Sequence, residues 1–139
     1  MIVLDTNVLS EALRPAPDMA VLAWLEAQPT MSLFTTSITR AEVFYGLHLL
    51  PESRRREQLH DTVTAIFEED FGTRTLPFDD SAADACAQIA AIRRSMGRPI
   101  SQFDAMIAGI ARSRGAALAT RNVRDFADCG VEVINPWSS

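Results

Sequence analysis

The sequence contains no lysine: all 13 of its basic residues are arginines. That absence excludes P-loop nucleotide hydrolases, which hold phosphate with a lysine, and with them Schiff-base chemistry and phospho-accepting response regulators, whose acid cluster works beside a lysine. No Gly-x-Gly-x-x-Gly run occurs, so a dinucleotide fingerprint is missing too. Cysteine is scarce: Cys86 and Cys129 lie far apart in no metal-ligand spacing, and no disulfide framework is expected. No apolar run approaches the roughly 20 residues that span a bilayer. The opening Met-Ile-Val-Leu-Asp lacks the basic flank of a secretory signal, so we expect a cytoplasmic protein with no membrane partner. At 139 residues the chain has the size of a single domain spanning 1–139.

The charge that is present lies unevenly. Net charge is −5, yet the segment 93–124 holds Arg93, Arg94, Arg98, Arg112, Arg114, Arg121 and Arg124 against one acid, Asp104. An acidic protein repels nucleic acid overall, whereas a local arginine field attracts phosphate. The same residues also read as ordinary solvated helix faces.

Apolar patterning gives an alternating α/β chain. Met1–Asp5 is a short apolar run without alternation, as in a strand buried on both faces, and a helical turn follows through Leu13. A helix over 18–27 stops before Pro29, and Leu33–Thr36 is the second strand. From Arg40 to Leu50, Val43, Phe44, Leu47 and Leu50 recur at helical spacing. A charged helix over roughly 53–69 leads to a strand at Thr73–Phe78. Helices over 81–96 and Ser101–Arg114 end at Gly97 and Gly115, and Ala116–Thr120 and Val131–Ile134 are two more strands. Strands separated by helices imply a parallel sheet covered on both faces.

In such a sheet, ligands bind beyond the carboxyl ends of the strands, and four junctions offer oxygen-bearing side chains. Asp5 ends the first strand. Glu42 falls in the first turn of the helix after the second. Asp104 falls in the first turn of the helix opened by Ser101. Asn122 and Asp125 follow the strand ending at Thr120. Thr39-x-x-Glu42 and Ser101-x-x-Asp104 each also match a capping box, and Asp125 also fits as the cap of a short turn. An acid at the end of a doubly buried strand, however, is costly unless it is paired, bonded or metal-bound. Converging carboxylates repel one another unless a cation neutralises them. Oxygen-only donors select hard ions such as Mg²⁺ or Mn²⁺, which suit phosphodiester hydrolysis.

The opening Met-Ile-Val-Leu-Asp5-Thr6-Asn7, then Thr39-Arg40-Ala41-Glu42 with Gly46, then Phe103-Asp104-Ala105-Met106-Ile107-Ala108, then Ala119-Thr120-Arg121-Asn122-Val123-Arg124-Asp125-Phe126, and the closing Ile134-Asn135-Pro136-Trp137 resemble, in order and spacing, the motifs of the PIN-domain family. The resemblance covers essentially the whole chain and is strongest to VapC toxins of type II toxin–antitoxin systems, particularly FitB-like members. It implies a three-layer α/β/α fold around a central, mainly parallel sheet of about five strands. It also implies an endoribonuclease that depends on Mg²⁺, with Mn²⁺ as a substitute, leaves a 5′-phosphate and a 3′-hydroxyl, and is blocked by a cognate antitoxin. The family's first three acids carry over onto Asp5, Glu42 and Asp104, with Asp5 and Asp104 as principal metal ligands and Glu42 holding water or a second ion. The fourth acid position falls on Asn122, an amide that brings no charge, so that role stays open between Asn122 and Asp125. Thr6 and Thr120 match positions that orient water or an acid. Arg121, then Arg124, are the expected phosphate contacts. A homodimer with a basic groove crossing the pair is expected by the same resemblance.

Other chemistries fit less well. His48 and His60, the only histidines, lie on mid-chain helices away from strand ends, where a metal-free ribonuclease would need them. A dehalogenase-like phosphatase needs an acid two residues after Asp5, and Asn7 stands there. A degenerate module that binds RNA or protein without cutting is the non-enzymatic alternative, favoured only by Asn122. The helix Val43–Leu50 is apolar around most of its circumference, as for a partner contact or a central core helix. The small residues Ala105, Ala108, Gly109 and Ala111 let the helix from Ser101 lie close against a neighbour.

Overall fold

A computed structural model describes residues 1–137. Its five strands are β1 (Ile2–Leu4), β2 (Leu33–Thr36), β3 (Thr75–Leu76), β4 (Ala117–Ala119) and β5 (Val133–Ile134). They form one sheet in the order β3-β2-β1-β4-β5, with every pairing parallel. Six helices intervene: α1 (Thr6–Ala12), α2 (Met19–Ala27), α3 (Ser37–His48), α4 (Arg54–Ala65), α5 (Asp80–Ser95) and α6 (Gln102–Ser113). Successive side chains of β1 go to opposite faces, and this builds the layers. Val3 packs with Ile107, Ile110 and Leu118 on the α5–α6 side; Leu4 packs with Val8 and Val21 of α1 and α2 on the other. Among the described residues, no helix is long and apolar enough to cross a membrane.

The chain winds outward from β1 to β2 and β3, then returns to β4 on the opposite side of β1. The strand order therefore reverses between β1 and β4, the place where open α/β sheets leave a crevice. Register there is direct, with Leu4 opposite Ala119. Asp5 and Thr120, each one residue further on, thus emerge side by side.

Three elements differ from the sequence expectation. The helix expected from Arg40 begins at Ser37, directly after β2, because Thr36 is its N-cap and accepts the Thr39 N–H at 3.0 Å. Apolar periodicity marks a buried face and is silent about a capped first turn, which is why the start was placed late. Thr39 is therefore inside the helix, Glu42 sits in the second turn instead of the first, and the Thr39–Glu42 capping box does not form. The strand expected over Thr73–Phe78 pairs only at Thr75–Leu76: Gly72, at φ 54°, opens a tight turn through Arg74, and Pro77 has no N–H to donate. The charged helix expected to 69 is regular only to Ala65 and widens into a π-type turn over Ile66–Phe71.

The small-residue helix does lie close to its neighbour. A Cβ on Gly109 of α6 would stand 2.6 Å from the Ala82 carbonyl oxygen of α5, so only glycine allows this approach. The apolar helix α3 is divided: Leu47 is buried, while Tyr45 and Leu49 are two-thirds exposed.

The arginine field is only partly a field. Arg93 is buried, 5% exposed. Its guanidinium donates to the carbonyls of Arg98 (2.8 Å), Asp125 (2.7 Å) and Ala127 (3.0 Å). Arg98 pairs with Asp128, Arg114 lies 3.9 Å from Asp79, and Arg112 bonds Gln88 at 3.2 Å. Carbonyls and acids that are distant in sequence claim these four. Arg94, Arg121 and Arg124 remain exposed.

Candidate active site

Asp5 closes β1 and caps α1. Its Oδ1 accepts the Thr6 N–H at 2.8 Å, and its Oδ2 accepts the Thr120 hydroxyl at 2.8 Å. The carboxyl is 4% exposed. Burial pushes its pKa up from 3.8 to about 6, with the two hydrogen bonds opposing and the nearby charges of Asp104 and Glu42 adding to the rise. The backbone N–H of Thr6 goes to Asp5 and its hydroxyl to Glu42, which ties the first two junctions together, and the Asp104 charge lies near enough to bear on Asp5. The same physics links Asp104 to the fourth junction. Burial raises its carboxyl, the Ser101 side chain and the Arg93 charge lower it, and Asp125 raises it further.

Each supporting residue has an identifiable task. Thr6 donates to Glu42 Oε1 at 2.8 Å. Thr120 gives its proton to Asp5 and accepts the Asn122 N–H at 3.0 Å and the Asn7 amide at 3.3 Å. A hydroxyl has one proton and two lone pairs, so Thr120 is saturated and its direction fixed. Asn7 also accepts the Arg121 N–H at 3.4 Å. Ser101 caps α6 by accepting the Asp104 N–H at 3.3 Å, so half of that capping box forms. The Arg121 guanidinium carbon lies over the Trp137 ring, 5.2 Å from its centroid, and the residue is exposed.

The residues expected at the site divide clearly. Hydrogen bonds join Asp5, Thr6, Glu42 and Thr120; Asp104 is linked to Asp5, and Asp125 to Asp104, only through their charges. Asn122 is exposed, and its backbone, not its side chain, is what Thr120 engages. Arg121 and Arg124 stand exposed at the start and in the middle of the turn that follows β4. His48 and His60 lie on α3 and α4 with ring centroids 6.3 Å apart, His60 set edge-on to Phe44, in the exposed helical positions expected of them. Three residues were missed. Asn7 bridges two strand ends, Thr39 lies behind Thr6, and Arg93 is the buried counter-charge to Asp104. In the sequence Asn7 lies two residues after Asp5, Thr39 also reads as a cap, and Arg93 is one member of an arginine run.

The donor set is oxygen only, which fits a hard divalent ion. Among the described residues, no three His, Cys, Asp or Glu side chains stand close enough to cage an ion directly. Mg²⁺ keeps several waters and takes one or two carboxylates. A carboxyl that burial, with smaller help from like charges, pushes up to about 6 is also one that a cation would stabilise.

A family model described as PIN domain matches residues 2–131. VapC ribonuclease Y4jK of Sinorhizobium fredii is 39% identical over 137 residues, covering 99% of this chain and 98% of the relative. Toxin FitB of Neisseria gonorrhoeae is 37% identical, covering 99% of each. The crystal structure of FitAcB from Neisseria gonorrhoeae contains a chain that superposes with a TM-score of 0.94 at 37% identity, with all of both chains covered.

Proposed function

The chain belongs to the PIN-domain family, in its VapC- and FitB-like branch, and from that premise we propose that it is the toxin of a type II toxin–antitoxin pair, an endoribonuclease dependent on Mg²⁺ with Mn²⁺ as a substitute. What supports this reading is the hydrogen-bonded row at the switch point of the sheet, where Thr6 gives its N–H to Asp5 and its hydroxyl to Glu42, with the Asp104 charge near enough to bear on Asp5. Asp5 and Asp104 are the carboxylates that would hold the ion, directly or through water, with Glu42 beside them. When bound, the ion supplies neutralisation of the acids and of charge developing on the phosphate, and makes an attacking water easier to deprotonate. Glu42, whose Oε1 already takes the Thr6 proton, would hold a water or accept a proton at its other oxygen. Arg121, its guanidinium over the Trp137 ring, offers a planar fork to a phosphate, and Arg124 a second cation. A cognate antitoxin, a homodimer and a cytoplasmic location complete the proposal. Exposed Tyr45 and Leu49 on α3 supply apolar surface for a partner chain.

The test is incubation of the purified, antitoxin-free protein with mixed RNA. Cleavage is expected with Mg²⁺ or Mn²⁺ and is expected to stop in EDTA. Cleavage persisting in EDTA overturns the metal dependence, and none with either ion favours a binding module.

The fourth corner is assigned to Asp125. It is the group whose charge reaches Asp104, whereas Asn122 contributes through its N–H. Asp125→Ala is expected to slow cleavage about ten- to a hundredfold, as for groups that support a metal ligand, and Asn122→Ala no more than a few fold. Initial rates on one RNA substrate at fixed Mg²⁺ check this; the reverse order would give the corner to Asn122.

A further inference from the structure

Behind Glu42 runs a row of hydroxyls that the proposed chemistry leaves unused. Thr6 Oγ1 stands 2.8 Å from Glu42 Oε1 and 3.0 Å from Thr39 Oγ1; Thr39 Oγ1 stands 3.3 Å from Thr36 Oγ1. Thr36 and Thr39 are fully buried. Each hydroxyl has a single proton, and an ionised carboxylate can only accept. The Thr6 proton is therefore committed to Glu42. The Thr6–Thr39 contact then requires Thr39 as the donor, and the Thr39–Thr36 contact requires Thr36. Thr36 Oγ1 in turn accepts the Thr39 backbone N–H at 3.0 Å. Every proton in the row is thereby assigned, and every one runs toward Glu42.

We propose that Thr39 is a positioning residue of the nuclease site: its proton, placed on Thr6 Oγ1, leaves Glu42 as the acceptor for the Thr6 proton. Glu42 Oε1 is thereby pinned and its other oxygen left for the reacting side. The inference rests on the function proposed above, which gives Glu42 its role. Packing alone does not account for this hydroxyl. Thr36 already caps α3, so Thr39 has no capping duty. A valine fills nearly the same volume without the cost of burying a polar group. In a low-dielectric interior such a chain of bonds is mutually strengthening and sensitive to loss of any member. Removing the middle hydroxyl frees Thr6 to rotate its proton away from Glu42.

The experiment compares Thr39→Val, Thr39→Ala and Thr39→Ser in the full chain. With either hydroxyl-less variant, kcat for RNA cleavage is expected to fall about ten- to a hundredfold, the scale of a small misplacement of a reacting group. KM should stay within about twofold of wild type, because the substrate contacts proposed above do not include Thr39. Thr39→Ser should restore kcat to within a few fold. A second readout needs no turnover: in metal-free protein the ¹³C carboxyl resonance of Glu42 should move in the valine and alanine variants and return toward wild type in the serine variant. Unchanged kcat with an unchanged Glu42 resonance overturns the proposal, as does a loss that serine does not rescue, which marks a packing role. A wild-type protein that fails to cleave RNA with either ion sinks the nuclease reading instead, and the carboxyl resonance still decides whether Thr39 governs Glu42.

Discussion

Asp5→Asn is expected to lower RNA cleavage by about a hundred- to a thousandfold and, in metal-free protein at neutral pH, to make the fold more stable. Both effects follow from one carboxyl. In the folded protein its pKa is raised from 3.8 to about 6, chiefly by burial. Keeping it ionised at pH 7 therefore costs the fold about 3 kcal/mol relative to the protonated form. The sign follows from proton binding. Between about pH 4 and 6 the native state holds a proton that the unfolded chain has released. The stabilisation by the protonated form is thus complete below about pH 4 and is lost as pH rises through 6. Asparagine carries no such dependence. It gives back part of the gain, because the Thr6 N–H and the Thr120 hydroxyl donate to different oxygens of Asp5, and an amide puts an acceptor at only one of the two positions. With about 1 kcal/mol returned there, a net gain of about 1–2 kcal/mol remains, or a rise of about 3–8 °C in Tm. Calorimetry in EDTA from pH 4 to 8 checks this: the gap should widen from about pH 4 to 6, stay constant above 6, and close toward pH 4. Added Mg²⁺ should then stabilise wild type and leave the Asp5→Asn protein unmoved. A gap independent of pH, or wild-type cleavage by the variant, rules out this account of Asp5.

That a lone acid can be given so definite a role reflects what the sequence exposes and what it hides. Asp5 was legible because Ile2-Val3-Leu4 reads as a doubly buried strand, and a charge at its end demands an explanation. Asp104 was legible through Ser101, whose cap fixes the start of α6 and so the turn on which the acid rides. Glu42 was found at the right junction for a partly wrong reason. Apolar spacing cannot reveal that Thr36 caps the helix directly off β2, so Thr39 was mistaken for the cap and its buried hydroxyl went unnoticed. Asn7 escaped because its partners, Thr120 and Arg121, lie over a hundred residues away and meet it only through the parallel register of β1 and β4. The arginines show the same limit more sharply. Arg93 and Arg121 are indistinguishable as letters in a basic run, yet one is consumed by carbonyls and the other stands exposed over Trp137. Backbone carbonyls leave no trace in a sequence pattern, so neither does a cation recruited to them.

Arg93→Met is the substitution that separates those two fates. Methionine can fill part of the stem's volume but donates nothing, so the carbonyls of Arg98, Asp125 and Ala127 lose their partner together. Removing one side of such a buried charged network is expected to cost about 3–5 kcal/mol, seen as a fall in Tm of about 10–20 °C. The functional consequence is more specific than instability. Two of those carbonyls belong to residues 125 and 127, so the turn that carries Asp125 and Arg124 loses its anchor to α5. The Arg93 charge is also one of two influences that hold the Asp104 carboxyl down against burial and Asp125. Without it Asp104 takes up its proton at higher pH. The rate of cleavage by the folded fraction should then fall most on the acid side, moving the acid limb of the pH–rate profile upward. Measured well below the lowered Tm, a profile that drops uniformly would mean that Arg93 serves the fold alone; a displaced acid limb would place it in the electrostatics of the site.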